Sequence, residues 1–478
     1  MTALSPLRFP SSPDQIGGAF GEQFAPWAVV RRSPAPGVWG PAELVRSDQL
    51  QVSVTVPALH YGLNCFEGMK GYKNADDSLH LFRLKDHSAR LTQSAERLCM
   101  QAPPLEHYAA DCAAALQANA DFVPAYGEGA LYLRPLLLGS ESYLGVRPSK
   151  EHLFVILASP VKRVVSPPID VTISQTVTRA PRGGIGSAKT GANYAGGMQD
   201  ALRAKAEGFG HVLFLDAETR TQIVEGLTSN ILFVLDDRVV TPLLDDTILH
   251  GITRDSCLTL LRGRGMEVEE RRIELKDLEA WAAEGRLKEA ILVGTAAVVT
   301  PVRSIQFGDT KLDIPGGDVC AELLDAYEKA AWKGETAHAY RVPVDAPKKA
   351  PSAPLAPTDH SSAWLWAEAW AGEWQRRDFE ALGARFDADC YYHSPMVTKL
   401  RGTPVLLGRG EMTRHWESST ALLHSLDFEV QQVVFDGRQI VIQYLARVNG
   451  FEKGQVSVEI FRFNSQGLVD HVVSAVGA

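Results

Sequence analysis

Apolar residues recur along the chain at two different spacings, and segments of the two kinds alternate. Short apolar runs predict strands at Val52–Val56, Leu79–Phe82, Ala130–Arg134 and Leu153–Ala158. Helical spacing predicts helices over Leu84–Leu98 and Tyr108–Ala120. Beyond Ser166–Pro168 the alternation resumes, with strands at His211–Leu215, Asn230–Leu235, Val239–Thr241 and Glu289–Val293. Helices are expected at Tyr194–Glu207, Thr253–Arg264 and Asp318–Gly334. Interleaved strands and helices imply two α/β (α+β) lobes with a cleft between them.

A different pattern follows Pro343, Pro347, Pro351, Pro354 and Pro357. Proline at that density removes backbone donors and favours extended chain, so residues 341–358 read as a semi-rigid linker. Past it, Ser361–Arg377 predicts a helix carrying Trp366, Trp370 and Trp374 at four-residue steps, and Glu411–Leu423 a second. Strands are expected at Leu426–Phe435, Gln439–Arg447, Ser457–Phe463 and Val469–Ala475. Helices followed by an antiparallel sheet suggest an α+β cone. The expected organisation is a loose arm at 1–20, a first lobe at 21–165, a connecting loop at 166–186 and a second lobe at 187–340. The linker and a C-terminal domain at 359–478 complete it. No internal repeat is evident.

Length and composition agree with several domains: 478 residues, 45% hydrophobic and 22% charged. The formal charge of -9 argues against nucleic acid or an anionic membrane as partner. Six scattered cysteines resemble neither a disulfide framework nor a zinc site, so no metal is expected and reduced thiols in a cytoplasmic protein are. The N-terminal stretch lacks the basic and apolar regions of a signal peptide. No apolar run approaches membrane-spanning length.

The chemistry concentrates in four segments. Ser187-Ala-Lys-Thr-Gly-Ala-Asn-Tyr194 places one lysine among small residues just before a helix, where a planar group could approach its amine. Val224-Glu-Gly-Leu-Thr-Ser-Asn-Ile231 puts Glu225 in a loop leading into a strand. Leu249-His-Gly-Ile-Thr-Arg-Asp255 opens a helix, which suits an anion. Gly294-Thr-Ala296 ends an apolar run and could offer backbone N–H groups to a carboxylate or phosphate.

In this order the four segments resemble the class IV (fold type IV) pyridoxal-phosphate enzymes, most closely the branched-chain amino acid aminotransferases. His60-Tyr-Gly-Leu-Asn-Cys-Phe-Glu-Gly-Met-Lys70, Leu81-Phe-Arg83 and Leu131-Tyr-Leu-Arg-Pro135 extend the resemblance, which runs from about Val29 to Tyr340. It implies that pyridoxal 5'-phosphate is the cofactor, that Lys189 holds it and moves the proton, and that Glu225 faces the pyridine nitrogen. It further implies that Tyr194 bonds the ring O3′ and that Arg83, Ile252, Thr253 and Thr295, with Thr228 nearby, anchor the cofactor phosphate. The substrate side falls to Tyr61, Phe66, Tyr132 and Arg134 and to the Thr295 and Ala296 backbone. Amino acids and 2-oxo acids are the implied partners, and the family's shared sites imply a homodimer or higher homo-oligomer. Two departures stand out. The Cys-x-x-Cys pair of vertebrate relatives is replaced in Thr295-Ala-Ala-Val-Val-Thr-Pro301, and the stretch from Val165 to Gly186 is shorter and more basic.

Plainer readings accompany each residue. Arg83 could pair with a carboxylate, Phe66, Tyr61 and Tyr132 could serve packing, and His60, His80 and His250 read as structural histidines. Asp76–Asp77 and Glu267–Arg272 read as solvated charge runs. A D-amino-acid transaminase or an aminodeoxychorismate-type lyase would keep the cofactor, but Tyr132-Leu-Arg-Pro135 speaks against both.

In the C-terminal domain, Phe386-Asp-Ala-Asp-Cys-Tyr-Tyr-His-Ser-Pro395, Gly408-Arg-Gly-Glu411 and Glu459-Ile-Phe-Arg-Phe463 resemble SnoaL-like and ketosteroid isomerase-like domains. The isomerases carry a base carboxylate where this chain has Ser394. Tyr392, His393, Glu459 and His471 are candidates for a shared pocket, which could enolise or cyclise a keto acid. The same side chains could equally line a binding or dimerising module. A fusion of this kind also fits a specialised pathway acting on an unusual amino acid.

Overall fold

The computed structural model describes residues 20–296, 298–332, 339–342, 357, 360–395, 397, 404–421, 423, 425–448, 454–464 and 468–476. The expected arm, except Phe20, and the expected linker, except residues 341, 342 and 357, lie outside them. The chain divides into two compact units, Met1–Lys348 and Lys349–Ala478.

The first unit opens with β1 (Trp27–Ser33), β2 (Ala42–Arg46), α1 (Pro57–His60), β3 (Asn64–Phe66), β4 (Met69–Lys73) and β5 (Leu79–Phe82). Next come α2 (Leu84–Arg97), α3 (Leu105–Ala118), β6 (Gly129–Gly139) and β7 (His152–Lys162). With β18 (Ala339–Arg341), the strands form an eight-stranded sheet ordered β18-β5-β4-β6-β7-β1-β2, and β3 pairs with β6. Leu131, Leu133, Leu137, Phe154 and Ile156 pack with Leu84, Leu91, Tyr108 and Leu116 of α2 and α3. Ala130, Tyr72 and Phe82 instead join Ile291, Val293, Leu258 and Tyr327 of the second lobe. Both faces are covered, so β6 and β7 read as nearly continuous apolar runs.

The second lobe begins with β8 (Ile169–Ile173), α4 (Gly191–Ala206), β9 (His211–Leu215), β10 (Gln222–Gly226), β11 (Asn230–Leu235) and β12 (Arg238–Pro242). It continues through α5 (Ile252–Gly263), β13 (Glu267–Arg271), β14 (Ile273–Glu274), α6 (Leu275–Ala283), β15 (Leu287–Gly294), β16 (Val298–Phe307), β17 (Thr310–Asp313) and α7 (Val319–Trp332). Its ten-stranded sheet runs β13-β12-β11-β15-β16-β8-β9-β10-β14, with β17 beside β16. Antiparallel pairing of β11 with β15 sets Asn230 opposite Val293, which brings the loop after Glu225 beside the turn at Thr295. Glu274 and Asp277 form a reciprocal capping box that starts α6.

Two expectations change. Val52–Val56 is not a strand: Val52 and Val54 are exposed, and Val56 becomes the N-cap of α1 at Pro57. Glu267–Arg272 is more than a solvated charge run, since β13 lies parallel to β12 and its carboxylates pair with Arg238 and Arg254.

The second unit contains α8 (His360–Arg376), α9 (Phe379–Ala384), β19 (Phe386–His393), β20 (Val405–Leu407) and α10 (Arg409–Thr420). Strands β21 (Leu426–Phe435), β22 (Gln439–Val448), β23 (Gln455–Phe463) and β24 (Val469–Val476) complete a six-stranded sheet ordered β20-β19-β24-β23-β22-β21. Trp366, Trp370 and Trp416 pack in one core with Phe386, Tyr444 and Phe461 of the sheet. The helical spacing of the tryptophans thus turns an aromatic stripe onto the sheet.

Candidate active site

Lys189 stands just before α4, and three elements hold its backbone. Its N–H donates to Ser94 Oγ of α2 at 2.9 Å, and its carbonyl accepts from the Phe66 N–H of β3 at 2.9 Å. Asn193 Nδ2 donates to the Ala188 carbonyl at 2.8 Å, fixing the preceding residue. Lys189 Nζ donates to Tyr194 Oη at 2.9 Å and lies 5.0 Å from the centre of the Phe66 ring. The amine is therefore aimed rather than free to sweep.

Glu225 lines the same cleft from the end of β10. Its carboxylate meets the Arg179 guanidinium at 2.8 Å, the Asn230 Nδ2 at 2.7 Å and the Leu249 N–H at 2.8 Å. Burial raises the Glu225 carboxyl above its ordinary range, against the pull of Arg179, Leu249 and Lys189.

Gly251, Ile252 and Thr253 line another side, where α5 begins. A Cβ on Gly251 would stand 2.0 Å from Asn230 Oδ1, so the approach needs glycine. The exposed N–H groups of a helix start favour an anion, and Arg90 of α2 adds a cation there. Arg90 is fixed by Glu67 at 2.7 Å and by the His250 carbonyl at 2.9 Å. Glu67 is fully buried; burial alone would raise its carboxyl, yet Arg90 and His87 hold it well below the usual range. Burial pushes His87 below its ordinary value, so it meets Glu67 as an imidazole N–H and Arg90 supplies the charge.

Arg90, Arg179, Lys189, Tyr194, Glu225 and the start of α5, with Thr228 and Thr295, line a cleft of about 400 Å³ that is partly open to solvent. Arg83 is not among them. It caps α2 in a left-handed conformation, φ 57°, and its guanidinium is taken up by Asp86, Asp255, Ser256 Oγ and the Ile252 carbonyl. Arg83 thus ties α2 to α5, and the arginines that line the cleft are Arg90 and Arg179. Arg90, Arg179 and Asn230 were not singled out from the sequence as site residues.

On the substrate side, Phe66, Tyr132 and Arg134 come together. Arg134 lies over the Phe66 ring at 4.7 Å and donates to Tyr132 Oη at 3.0 Å. Its Nε is buried without a hydrogen-bond partner. Tyr132 Oη lies over Gly68, where a Cβ would come within 2.0 Å. Tyr61 stands apart: it is 44% exposed and donates to the Leu144 carbonyl at 2.5 Å. Ala296, next to Thr295, lines a second cavity, and its carbonyl accepts a bond from Lys70. His80 bonds the Ala331 carbonyl and His60 the Val54 carbonyl, as structural histidines do.

The four polar residues expected to share a pocket in the second unit do not. Strand alternation turns Tyr392 and Glu459 to the buried face with Ser394, Tyr444 and Ser474. His393 and His471 occupy the other parity, and His471 stacks on Tyr391 at 4.4 Å. Tyr444 Oη and Glu459 Oε1 are 3.2 Å apart, and burial pushes Glu459 up to about 7.

Residues 64–305 match the family model for amino-transferase class IV, and residues 367–471 match that for a SnoaL-like domain. A probable branched-chain-amino-acid aminotransferase of Streptomyces coelicolor is 36% identical over 314 residues, covering 64% of this chain and 87% of that protein. The branched-chain aminotransferase of Thermoproteus uzoniensis, solved with norvaline, superposes with a TM-score of 0.56 at 26% identity, covering 66% of this chain and 100% of that one. The T.th. branched-chain amino acid aminotransferase, solved in complex with N-(5'-phosphopyridoxyl)-L-glutamate, gives 0.55 at 27% identity, covering 67% and 100%. Among the described residues no helix is long and apolar enough to cross a membrane. The cleft suits pyridoxal phosphate, since it offers an aimed amine, a buried carboxylate and a cationic helix start on separate walls. The chain belongs to the class IV aminotransferases, as a pyridoxal-phosphate-dependent transaminase of the branched-chain type joined to a SnoaL-like domain.

Proposed function

We propose that the chain moves the amino group of a branched-chain or related hydrophobic L-amino acid to 2-oxoglutarate. The carrying observation is the Lys189 amine held 2.9 Å from the Tyr194 phenol in a cleft shared with Glu225, Arg90 and the start of α5. Pyridoxal phosphate, when bound, supplies the electron sink that makes the substrate Cα–H acidic. Lys189 Nζ would hold the cofactor and carry the proton to and from the substrate Cα, with Tyr194 keeping it aimed. Glu225, set by Arg179 and Asn230, would hold the ring nitrogen, and its raised pKa suits a shared proton. Arg90 and the N–H groups of α5 hold the phosphate, with Thr228 and Thr295 beside them. Phe66 walls the pocket for an aliphatic side chain and keeps water from it. The Thr295–Ala296 turn receives the α-carboxylate.

The unpartnered Arg134 Nε is a donor for the distal carboxylate of glutamate, and the glutamate adduct of the T.th. enzyme supports that acceptor class. Val54, Leu59, Tyr61, Leu144 and Val146 are exposed on segments joined by the Tyr61–Leu144 bond. Covering them with a second copy gives the homodimer we assign, with Tyr61 acting at that boundary.

A second reading concerns the fused domain. The buried Tyr392, Tyr444 and Glu459 group supports binding of a keto acid there, and with it a specialised pathway. Initial rates with L-leucine and 2-oxoglutarate test the main reading: parallel double-reciprocal lines, abolished in a folded Lys189→Ala variant, are expected. Intersecting lines, or activity surviving in Lys189→Ala, would contradict it.

A further inference from the structure

Lys70 lies on β4 directly opposite Tyr132 on β6, so the two side chains share one face of the small-lobe sheet. Its Nζ crosses to the large lobe and donates to the Ala296 carbonyl at 3.2 Å. Ala296 belongs to the turn whose Thr295 lines the Lys189 cleft. Just past the turn, Val298 is held at φ 63°, a left-handed conformation costly for a β-branched residue. Such a conformation persists only where neighbouring contacts hold it. Behind the turn lies a second cavity of about 420 Å³, partly open to solvent, lined by Lys70, Tyr72, Arg163, Tyr327, Glu328 and Trp332 among others.

Given the reading that this turn receives the substrate α-carboxylate, we propose that Lys70 is a positioning residue for that carboxylate. From the small lobe it holds the Thr295–Ala296 turn in its binding conformation and adds a positive charge behind it. A lysine in this place makes the turn sensitive to pH. Burial, opposed by Glu328, lowers the Lys70 amine to about 8. The groups around it do not follow. Tyr72 on the same strand and Tyr327 on α7 are pushed well above their ordinary range by burial. Glu328 of α7 is paired with Arg163, just past β7, at 2.8 Å, Tyr132 lies across the ladder, and Lys162 is exposed. Between pH 7 and 9 the charge behind the turn is therefore lost as pH rises.

Calorimetric titration of the full-length holoenzyme with 4-methylpentanoate and with its uncharged amide separates carboxylate recognition from packing. In Lys70→Met, affinity for the carboxylate should fall roughly tenfold at pH 7, the scale of one lost charge-assisted contact, with little change for the amide. The wild type should lose a similar factor between pH 7 and 9, and Lys70→Arg should keep its affinity at both. Unchanged carboxylate binding in Lys70→Met, or equal loss of both ligands, overturns the proposal. Should Lys70→Met fold poorly, identical pH dependence in wild type and Lys70→Arg overturns it as well. Ala296→Pro removes one N–H from the turn and tests the underlying reading. Unchanged carboxylate affinity there overturns the placement of the carboxylate, and the proposal with it. Weakened binding there beside unchanged binding in Lys70→Met overturns the role of Lys70 alone.

Discussion

Arg83 and Arg90 stand about two turns apart along the same stretch of chain, and their surroundings divide their work. Arg83 spends its donors on Asp86, Asp255 and Ser256, whereas Arg90, held by Glu67, presents a cation to the cleft. Arg90→Gln should therefore weaken cofactor affinity by about 1.5–3 kcal/mol, the scale of a hydrogen bond to a charged group, and should also lower the unfolding midpoint, because it leaves the buried Glu67 carboxylate without its cation. Arg83→Gln should leave cofactor affinity nearly unchanged and lower the midpoint less, since its partners Asp86 and Asp255 are exposed. Equilibrium dialysis and urea unfolding of both variants would show it, and a larger affinity loss in Arg83→Gln would contradict the assignment. The sequence exposes Arg83 through the Leu81-Phe-Arg83 match, yet nothing local reveals that its partners lie on α5. A fainter signal for Arg90 exists: His87, Arg90 and Ser94 recur at helical spacing beside the buried Leu91, which marks a polar stripe turned inward. Lys189, Tyr194 and Glu225 were expected because their segments carry the resemblance to the class IV enzymes, although the groups that hold Lys189 and Glu225, among them Ser94, Phe66 and Leu249, come from elsewhere in the chain. Arg179 was not, because its role depends on meeting Glu225 across the fold.

At the scale of elements, periodicity recovered what is locally determined. Strands β5, β9, β11 and β21 fall where the apolar runs placed them, and α2, α5 and α8 lie within a residue or so of their predicted ends. Charged β13 was misread because its pairing with β12 is non-local, and Val52–Val56 because alternation without a sheet neighbour makes no strand. Parity also decides the second unit. One residue's difference sends His393 to the opposite face from Tyr392, which splits the expected pocket. On the inner face Glu459 is raised to about 7 by burial, so its ionised form is favoured by unfolding. Its contribution is intact below the unfolded carboxyl value of 4.5 and is lost as pH rises through about 7, on the order of 3 kcal/mol. Five of the nine tryptophans, among them Trp370 and Trp416, belong to this unit, so their emission follows its unfolding. The urea midpoint should fall between pH 5 and 7.5 in the wild type and hold in Glu459→Gln. Equal slopes would remove Glu459 as the cause.

At the scale of the molecule, two units of different architecture share one chain, and the residues that line the Lys189 cleft all lie in the first. Its two lobes share a core through Tyr72, Phe82 and Ala130, which keeps the amine, the carboxylate and the anion site in fixed relation. The central claim is that Lys189 carries a pyridoxal cofactor through both halves of a transamination. The most direct measurement is the visible spectrum of the purified full-length chain during successive additions of L-leucine and 2-oxoglutarate. A cofactor band should bleach with leucine and return with 2-oxoglutarate, and neither addition should alter the spectrum of Lys189→Ala. A wild-type band indifferent to both, or no band after adding pyridoxal phosphate, would contradict it.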